Sequence, residues 1–188
     1  PADDLLIRIE RALDLDGEGQ LVASVLSKKI AAGSTHAVID IPVGETAKVR
    51  TPGDADRLAS LFTSVGAACG LKVRCIATDG SKPVGAGIGP TEEARDVLAV
   101  LQGKRGAPED LRSRAIMLAG HLFDLADGRG VKEGMVKAER LLQNGSAWGQ
   151  FKRITEAQGG QRSLGEARFR RPVLCSESGT IVSIDNRR

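Results

Sequence analysis

Aromatic side chains are scarce in this chain of 188 residues: they make up 3% of it, and tyrosine is absent. Because the apolar fraction is 41%, a core must consist mainly of leucine, valine, isoleucine and alanine. The basic run around Arg168 and Arg170 has only Phe169 between its charges, too little for a surface that stacks nucleic-acid bases. No apolar run is long enough for a membrane span, and the start has no signal-peptide pattern. We therefore expect a soluble cytoplasmic protein that binds neither nucleic acid nor membrane.

Cysteine and histidine are also few. Cys69, Cys75 and Cys175 are odd in number and have no metal-type spacing, so we predict reduced thiols in the core. His36 and His121 lack the partner spacing of a metal site or a catalytic triad. The net charge of +3 is a mild basic bias, which suits an anionic substrate.

What the sequence does contain is an alternation of helix and strand signals. We predict a short strand or irregular segment at 5–10, strands at 36–44 and 71–79, and helices at 18–32, 52–69, 108–126, 132–143 and 146–157. Thr91 is predicted to cap one further helix, and residues 168–185 read as strand-rich. This order predicts an α/β core followed by the β-rich start of another unit.

The helix predicted at 18–32 carries two adjacent lysines that point in different directions. Gln20, Ser24 and Lys28 are spaced four residues apart and form one polar stripe, whereas Lys29 falls on the apolar side. One interpretation is that Lys28 is solvated and Lys29 extends along an apolar edge. The other is that the stripe lines a cleft and binds the polar edge of a small ring.

A glycine-rich loop, GSKPVGAGIGP, follows the second predicted strand. The spacing of Gly85, Gly87 and Gly89 is not that of a dinucleotide-binding fingerprint. The residues alone favour a tight strand-to-helix connection.

Several motifs in the same order resemble the thymidine phosphorylase family of nucleoside phosphorylases. They are ASVLSKKIAAG followed by AVIDIPVG, then TDGSKPVGAGIGPTEEARDVL, then EAQGG. The sequence ADDLLIRIERALDLDGEGQ is similar to that of the branch that holds type-2 thymidine phosphorylases and AMP phosphorylases. The resemblance implies part of the central α/β domain at 34–158, a segment of the helical domain at 1–33, and the start of a C-terminal α+β domain at 159–188.

The resemblance also implies a reaction and residues for it. Phosphate attacks C1′ of a pyrimidine nucleoside such as thymidine, and the base departs. Ser24 and Lys28 match the family's base-binding Ser-x-x-x-Lys, while Arg8 is the candidate for its base-binding arginine, with Arg11 as a competitor. Asp16 falls where the AMP phosphorylase branch has its proton donor, and Lys48 matches a nucleotide-binding lysine of that branch. From the residues alone, the favoured interpretation of Asp16 is a carboxylate that stabilises exposed N–H groups at the start of a helix.

Two further expectations concern ions and the rest of the protein. Relatives bind a monovalent cation at the glycine loop, and the matching ligands here are the carbonyls of Val84 and Gly87 and the carboxylate of Asp96. We expect no organic cofactor, with inorganic phosphate as co-substrate. The family's phosphate-binding loop has no match in this sequence, so we expect a fragment that is inactive alone, from a protein that is a homodimer. The alternatives are AMP phosphorolysis and a non-catalytic domain that binds nucleic acid or another protein.

Overall fold

The computed structural model describes residues 2–13 and 17–185 and divides after Gly80 into two compact units. Unit 1 comprises residues 1–80, and unit 2 comprises residues 81–188. In chain order the elements are α1 (Ala2–Leu13), α2 (Glu18–Ala31), β1 (His36–Val43), α3 (Pro52–Ala68), β2 (Lys72–Asp79), α4 (Pro90–Leu101), α5 (Glu109–Asp127), α6 (Val131–Gln143) and α7 (Ser146–Ala157). The α/β class predicted from the sequence is confirmed.

Unit 1 is built on two parallel strands. β1 pairs with β2 in a register that places His36 opposite Lys72 and Val43 opposite Asp79. Alternate residues of β1 are buried, as expected for a strand with one face on a core. That core joins β1 to α2, α3 and the residue that precedes β2. Its buried members are Val22, Leu26, Ala37, Ile39, Ile41, Ala55, Leu58, Phe62 and Leu71. The core that α2 shares with β1 and α3 includes residues on both sides of the predicted boundary at residue 33, although the domain division itself stays a prediction.

The local sequence explains where α3 begins and how closely it packs. Thr51 has extended backbone angles, its side chain accepts the N–H of Asp54, and Pro52 follows at the first helical position. Gly66 is buried, and a Cβ atom there would meet the side chain of Val73 on β2. Only glycine therefore permits this approach of helix to strand.

Unit 2 consists of helices α4 to α7, with α5 and α6 packed along each other. An ion pair crosses from α5 to α6 between Arg112 and Glu139, both half-buried. The neighbouring carboxylates of Glu139 and Glu109 help to hold the pKa of Arg112 above its ordinary value, against the opposing effect of burial.

Three predictions of local structure are wrong. Residues 5–10 belong to the helix α1, because Leu5, Leu6, Ile9 and Leu13 recur at helical spacing rather than in strict alternation. Thr91 is not the cap of α4. That helix begins after Gly89, and the Gly89 N–H donates a hydrogen bond to the Glu93 carboxylate.

The third difference is the strand-rich C-terminal stretch. Residues 160–185 contain neither helix nor strand, and Val173 and Val182 are 92% and 95% exposed. A strand requires a hydrogen-bonding neighbour, and β-forming residues alone do not supply one. The predicted burial of Cys69 and Cys175 fails too, because both are exposed; Cys75 on β2 is half-buried and packs against the core.

Within residues 2–13 and 17–185, no helix is both long enough and apolar enough to cross a bilayer.

Candidate functional site

The polar stripe of α2 is present in the structure. The ammonium group of Lys28 donates a hydrogen bond to the Ser24 hydroxyl, with Nζ and Oγ 3.0 Å apart. Lys28 is exposed and Ser24 half-buried. Long helical side chains lean toward the helix N-terminus, which is why the lysine head group reaches the serine one turn earlier. One cation and one hydroxyl are thereby held together on the surface of the helix.

The other side of α2 fixes how this stripe is presented. Val22 and Leu26 are 4% and 2% exposed and anchor the helix in the core of unit 1. Lys29 lies on that side and is half-buried, whereas Lys28 projects away from the core. The two lysines therefore diverge as the helical spacing predicts, and Lys28 is the one that a ligand can reach.

Connectivity determines which end of α2 lies near the carboxyl ends of the strands. A short turn, residues 32–35, joins the C-terminal end of α2 to the start of β1. Near the start of α3, Arg57 donates to the Glu18 carboxylate in the first turn of α2, with Nε and Oε1 3.0 Å apart. The N-terminal end of α2 is thus tied to the end of unit 1 where β1 finishes and α3 begins.

A hydrogen bond that the sequence analysis missed joins β1 to β2. The Thr78 hydroxyl donates to Asp40 Oδ1 at 2.6 Å, and both side chains are half-buried. Because the core-facing residues of β1 are Ala37, Ile39 and Ile41, Asp40 lies on the opposite face of the sheet. The strand alternation HAVIDIPV was the signal that could have indicated a polar group on this face.

Lys48 lies in the loop that follows β1, near the carboxyl end of the strands. The loop is closed by a hydrogen bond from the Gly44 N–H to the Val49 carbonyl at 3.1 Å. Lys48 is exposed between these two residues. In open α/β sheets, ligands bind beyond the carboxyl ends of the strands, so the loop places this cation where anionic groups are commonly bound.

Arg8 and Asp16 are the remaining base-site residues that the resemblance predicts, and the structure describes only the first of them. Arg8 is exposed on α1, which is a helix and not the expected strand or irregular segment. Asp16 lies outside the described residues.

In unit 2, the Asp96 carboxylate organises the glycine-rich loop. Its Oδ2 atom accepts the N–H groups of Ala86 and Gly87 at 2.8 and 2.7 Å. Gly85 has a φ of +87°, and a Cβ atom there would lie 2.8 Å from the same oxygen. Asp96 and Gly87, two of the three predicted cation ligands, are therefore adjacent, and the carboxylate also fixes the loop.

A second carboxylate holds the same loop from α5. Asp110 accepts the Gly85 N–H at 3.0 Å. That backbone hydrogen bond lowers the pKa of Asp110 below its ordinary value, since it favours the charged form. No cluster of three or more histidine, cysteine or acidic side chains suited to a metal occurs in the part of the chain that the structure describes.

Comparison with curated proteins finds relatives that align with this chain along its whole length. A "Putative thymidine phosphorylase 1" from Cupriavidus necator is 56% identical over 187 residues, which is 100% of this chain and 36% of the relative. Proteins named "Putative thymidine phosphorylase" from Legionella pneumophila and Ralstonia nicotianae are 57% and 54% identical, again over 100% of this chain. The chain is therefore similar over its whole length to proteins named as putative thymidine phosphorylases.

The similarity has a defined extent. The chain spans little more than a third of the length of these relatives, 36% or 37%. No protein-family model matches it. The resemblance inferred from ASVLSKKIAAG and the motifs after it is confirmed, and the chain aligns with one part of these relatives' sequences.

Proposed function

We propose that this chain supplies the base-binding part of a nucleoside phosphorylase whose substrate is a pyrimidine nucleoside such as thymidine. Phosphate attacks C1′, the bond from C1′ to the base nitrogen breaks, and the products are the free base and 2-deoxyribose 1-phosphate. The observation that carries the proposal is the Lys28–Ser24 pair on α2. It is supported by full-chain identity of 53–57% to proteins named for this activity.

The chemistry of the pair suits the leaving group. As the glycosidic bond breaks, negative charge grows on the base. The Lys28 ammonium donates to a carbonyl oxygen of the ring, where that charge is delocalised, and the Ser24 hydroxyl donates or accepts beside it. The contact between the two side chains orients the lysine before substrate arrives, which lowers the cost of positioning it. Arg8 is proposed as a further base contact and Asp16 as the proton donor to the departing nitrogen.

The glycine loop is proposed to hold a monovalent cation. Two backbone carbonyls, those of Val84 and Gly87, and the carboxylate of Asp96 are hard oxygen ligands of the kind such ions prefer. The close approach of Asp96 to the backbone of Gly87 is compatible with this ligand set. The cation would stabilise the loop in its bound conformation.

AMP phosphorolysis, which yields adenine and ribose 1,5-bisphosphate, is the second candidate. The location of Lys48 favours it, because an exposed ammonium group beyond the carboxyl end of β1 is placed to bind a 5′-phosphate. A nucleoside has no such phosphate. The two functions therefore differ in whether Lys48 contributes to catalysis.

One set of assays tests both functions. The protein as its gene encodes it is incubated with phosphate and either thymidine or AMP, and release of free base and sugar phosphate is measured. Turnover of thymidine with a value of kcat/KM unaffected by Lys48→Met supports the first function, whereas AMP turnover lost in that variant supports the second. Absence of phosphorolysis with either substrate contradicts both. The 188-residue chain alone is expected to show no turnover.

A further inference from the structure

The third member of the α2 stripe, Gln20, has no role in the function proposed above. It lies one turn before Ser24 and shares its side of the helix, away from the buried Val22 and Leu26. Gln20 is half-buried, unlike the exposed Lys28 at the other end of the stripe. The neutral amide of Gln20 thus extends the polar stripe toward the N-terminal end of α2.

That direction leads toward the carboxyl ends of the strands. The Arg57–Glu18 ion pair, 2.9 Å between Nη2 and Oε1, ties the first turn of α2 to the start of α3. Lys48 lies in the loop that joins β1 to this end of α3. Moving along the stripe from Lys28 to Gln20 therefore means moving toward the end of unit 1 where the Lys48 loop lies.

The rise along the helix from Ser24 to Gln20 matches the distance between the base and the sugar of a nucleoside. Four residues of α-helix rise by about 6 Å, which is comparable to the separation of a base from its sugar. The Lys28 ammonium group is held at the level of Ser24 along the helix, so the proposed contacts with the base lie at that level. Helical side chains lean toward the N-terminus, and the Gln20 amide therefore extends farther from the proposed base position, toward the Lys48 loop.

An amide is suited to a sugar hydroxyl because it both donates and accepts, as the hydroxyl does. We propose that Gln20 hydrogen-bonds a ring hydroxyl of the sugar and contributes to the enzyme's choice among pentoses. This inference rests on the proposed function, since it takes Ser24 and Lys28 as the base contacts. It concerns a different part of the substrate.

A double-mutant cycle between enzyme and substrate tests the contact in the protein as its gene encodes it. Thymidine is compared with 5-methyluridine, which differs by the 2′-hydroxyl, and with 3′-deoxythymidine, which lacks the 3′-hydroxyl. Each is assayed with the unmodified enzyme and with Gln20→Leu. Gln150→Leu is the matched control, because Gln150 is an exposed glutamine on α7. Thermal unfolding of each variant shows whether the fold is retained.

For the substrate whose hydroxyl is bound, Gln20→Leu should lower kcat/KM by about 10-fold, the effect of losing one hydrogen bond. Removing that hydroxyl should then cost the variant at least about fivefold less than it costs the unmodified enzyme. In an active enzyme, the effects of Gln20→Leu and of hydroxyl removal on kcat/KM could simply multiply, for the 2′-hydroxyl and for the 3′-hydroxyl alike. In that case the inference is wrong while the proposed function stands. An unmodified enzyme without phosphorolysis overturns the proposed function and this inference together.

Discussion

Gly134 of α6 faces the backbone of Gly120 on α5, and a Cβ atom added to Gly134 would lie 3.0 Å from both the Cα and the carbonyl carbon of Gly120. In the reverse direction, a Cβ atom on Gly120 would lie 2.9 Å from the Met135 nitrogen. Both glycines are buried within their helices. The two backbones approach so closely because neither residue carries a side chain at the crossing.

Gly134→Ala should therefore destabilise unit 2. Although alanine favours a helix, a methyl group here displaces backbone rather than a flexible side chain, and we expect a loss of about 1–3 kcal/mol in the free energy of unfolding. Gly149→Ala is the matched control, since Gly149 is also helical and has nothing within 4 Å of an added Cβ. The control should be neutral or stabilising by about 0.5–1 kcal/mol. Urea unfolding followed by circular dichroism measures both; equal effects would contradict the close crossing.

The adjacent lysines of α2 provide a direct test of the base-binding assignment. Lys28→Met removes the cation proposed to face the departing base. In the protein as its gene encodes it, kcat/KM for phosphorolysis should then fall about 100- to 1,000-fold. Lys29→Met removes an identical charge from the side of the helix that borders the core, and its kcat/KM should stay within about threefold, as expected for a residue that does not touch substrate.

The same two variants separate catalysis from folding. Because Lys28 is exposed and α2 is anchored by Val22 and Leu26, neither methionine should lower the unfolding temperature appreciably. Equal kinetic losses from both variants would show that the stripe does not face the substrate.

Sequence reasoning succeeded where a segment was long and strongly periodic. The helix α7 was predicted at its observed bounds, and α2 within one residue, because their apolar spacing and flanking glycines leave little choice. It failed for α1, where apolar and charged residues alternate only over 7–10, within a longer helical pattern. It also failed for residues 168–185, since strand formation depends on a partner that local sequence does not reveal.

The candidate site shows the same limit. The Ser24–Lys28 contact follows from a spacing of four residues on a helix, so it was accessible from the sequence. The Thr78–Asp40 bond joins residues that are 38 positions apart, and the register of β1 on β2 had to be known first. The roles of Asp96 and Asp110 as acceptors of loop N–H groups likewise depend on tertiary structure.

Asp96 should govern the order of the glycine-rich loop. Its Oδ2 accepts two backbone N–H groups, from Ala86 and Gly87, and Asp96→Ala leaves both without this acceptor. We expect the two amide protons to exchange with solvent at least about 10-fold faster in the variant, because local opening becomes easier. Hydrogen exchange followed by NMR measures this directly. Glu92→Ala is the control, since Glu92 pairs with Arg95 on the exposed surface of α4, and unchanged exchange in Asp96→Ala would contradict the assigned role.

Cys75 should differ from the other two cysteines in reactivity. Burial raises its pKa from 9.0 to about 11, whereas Cys69 and Cys175 are exposed. The thiolate is the reactive form, so at pH 8 a disulfide reagent should label two thiols rapidly and the third slowly. Cys75→Ala should remove only the slow phase, and Cys69→Ser should halve the fast phase. Three equal rates would contradict the burial of Cys75.

The raised pKa of Cys75 also predicts how stability depends on pH. The folded state keeps the thiol proton up to about pH 11, whereas the unfolded chain releases it near pH 9.0. The unfolded state therefore binds fewer protons in this interval, and the free energy of unfolding falls as pH rises from 9 to 11. Cys75→Ala lacks this titration, so its stability should decline less steeply over the same range. Urea unfolding of both proteins at pH 8, 9 and 10 measures the difference, and parallel declines would show that Cys75 loses its proton equally readily in both states.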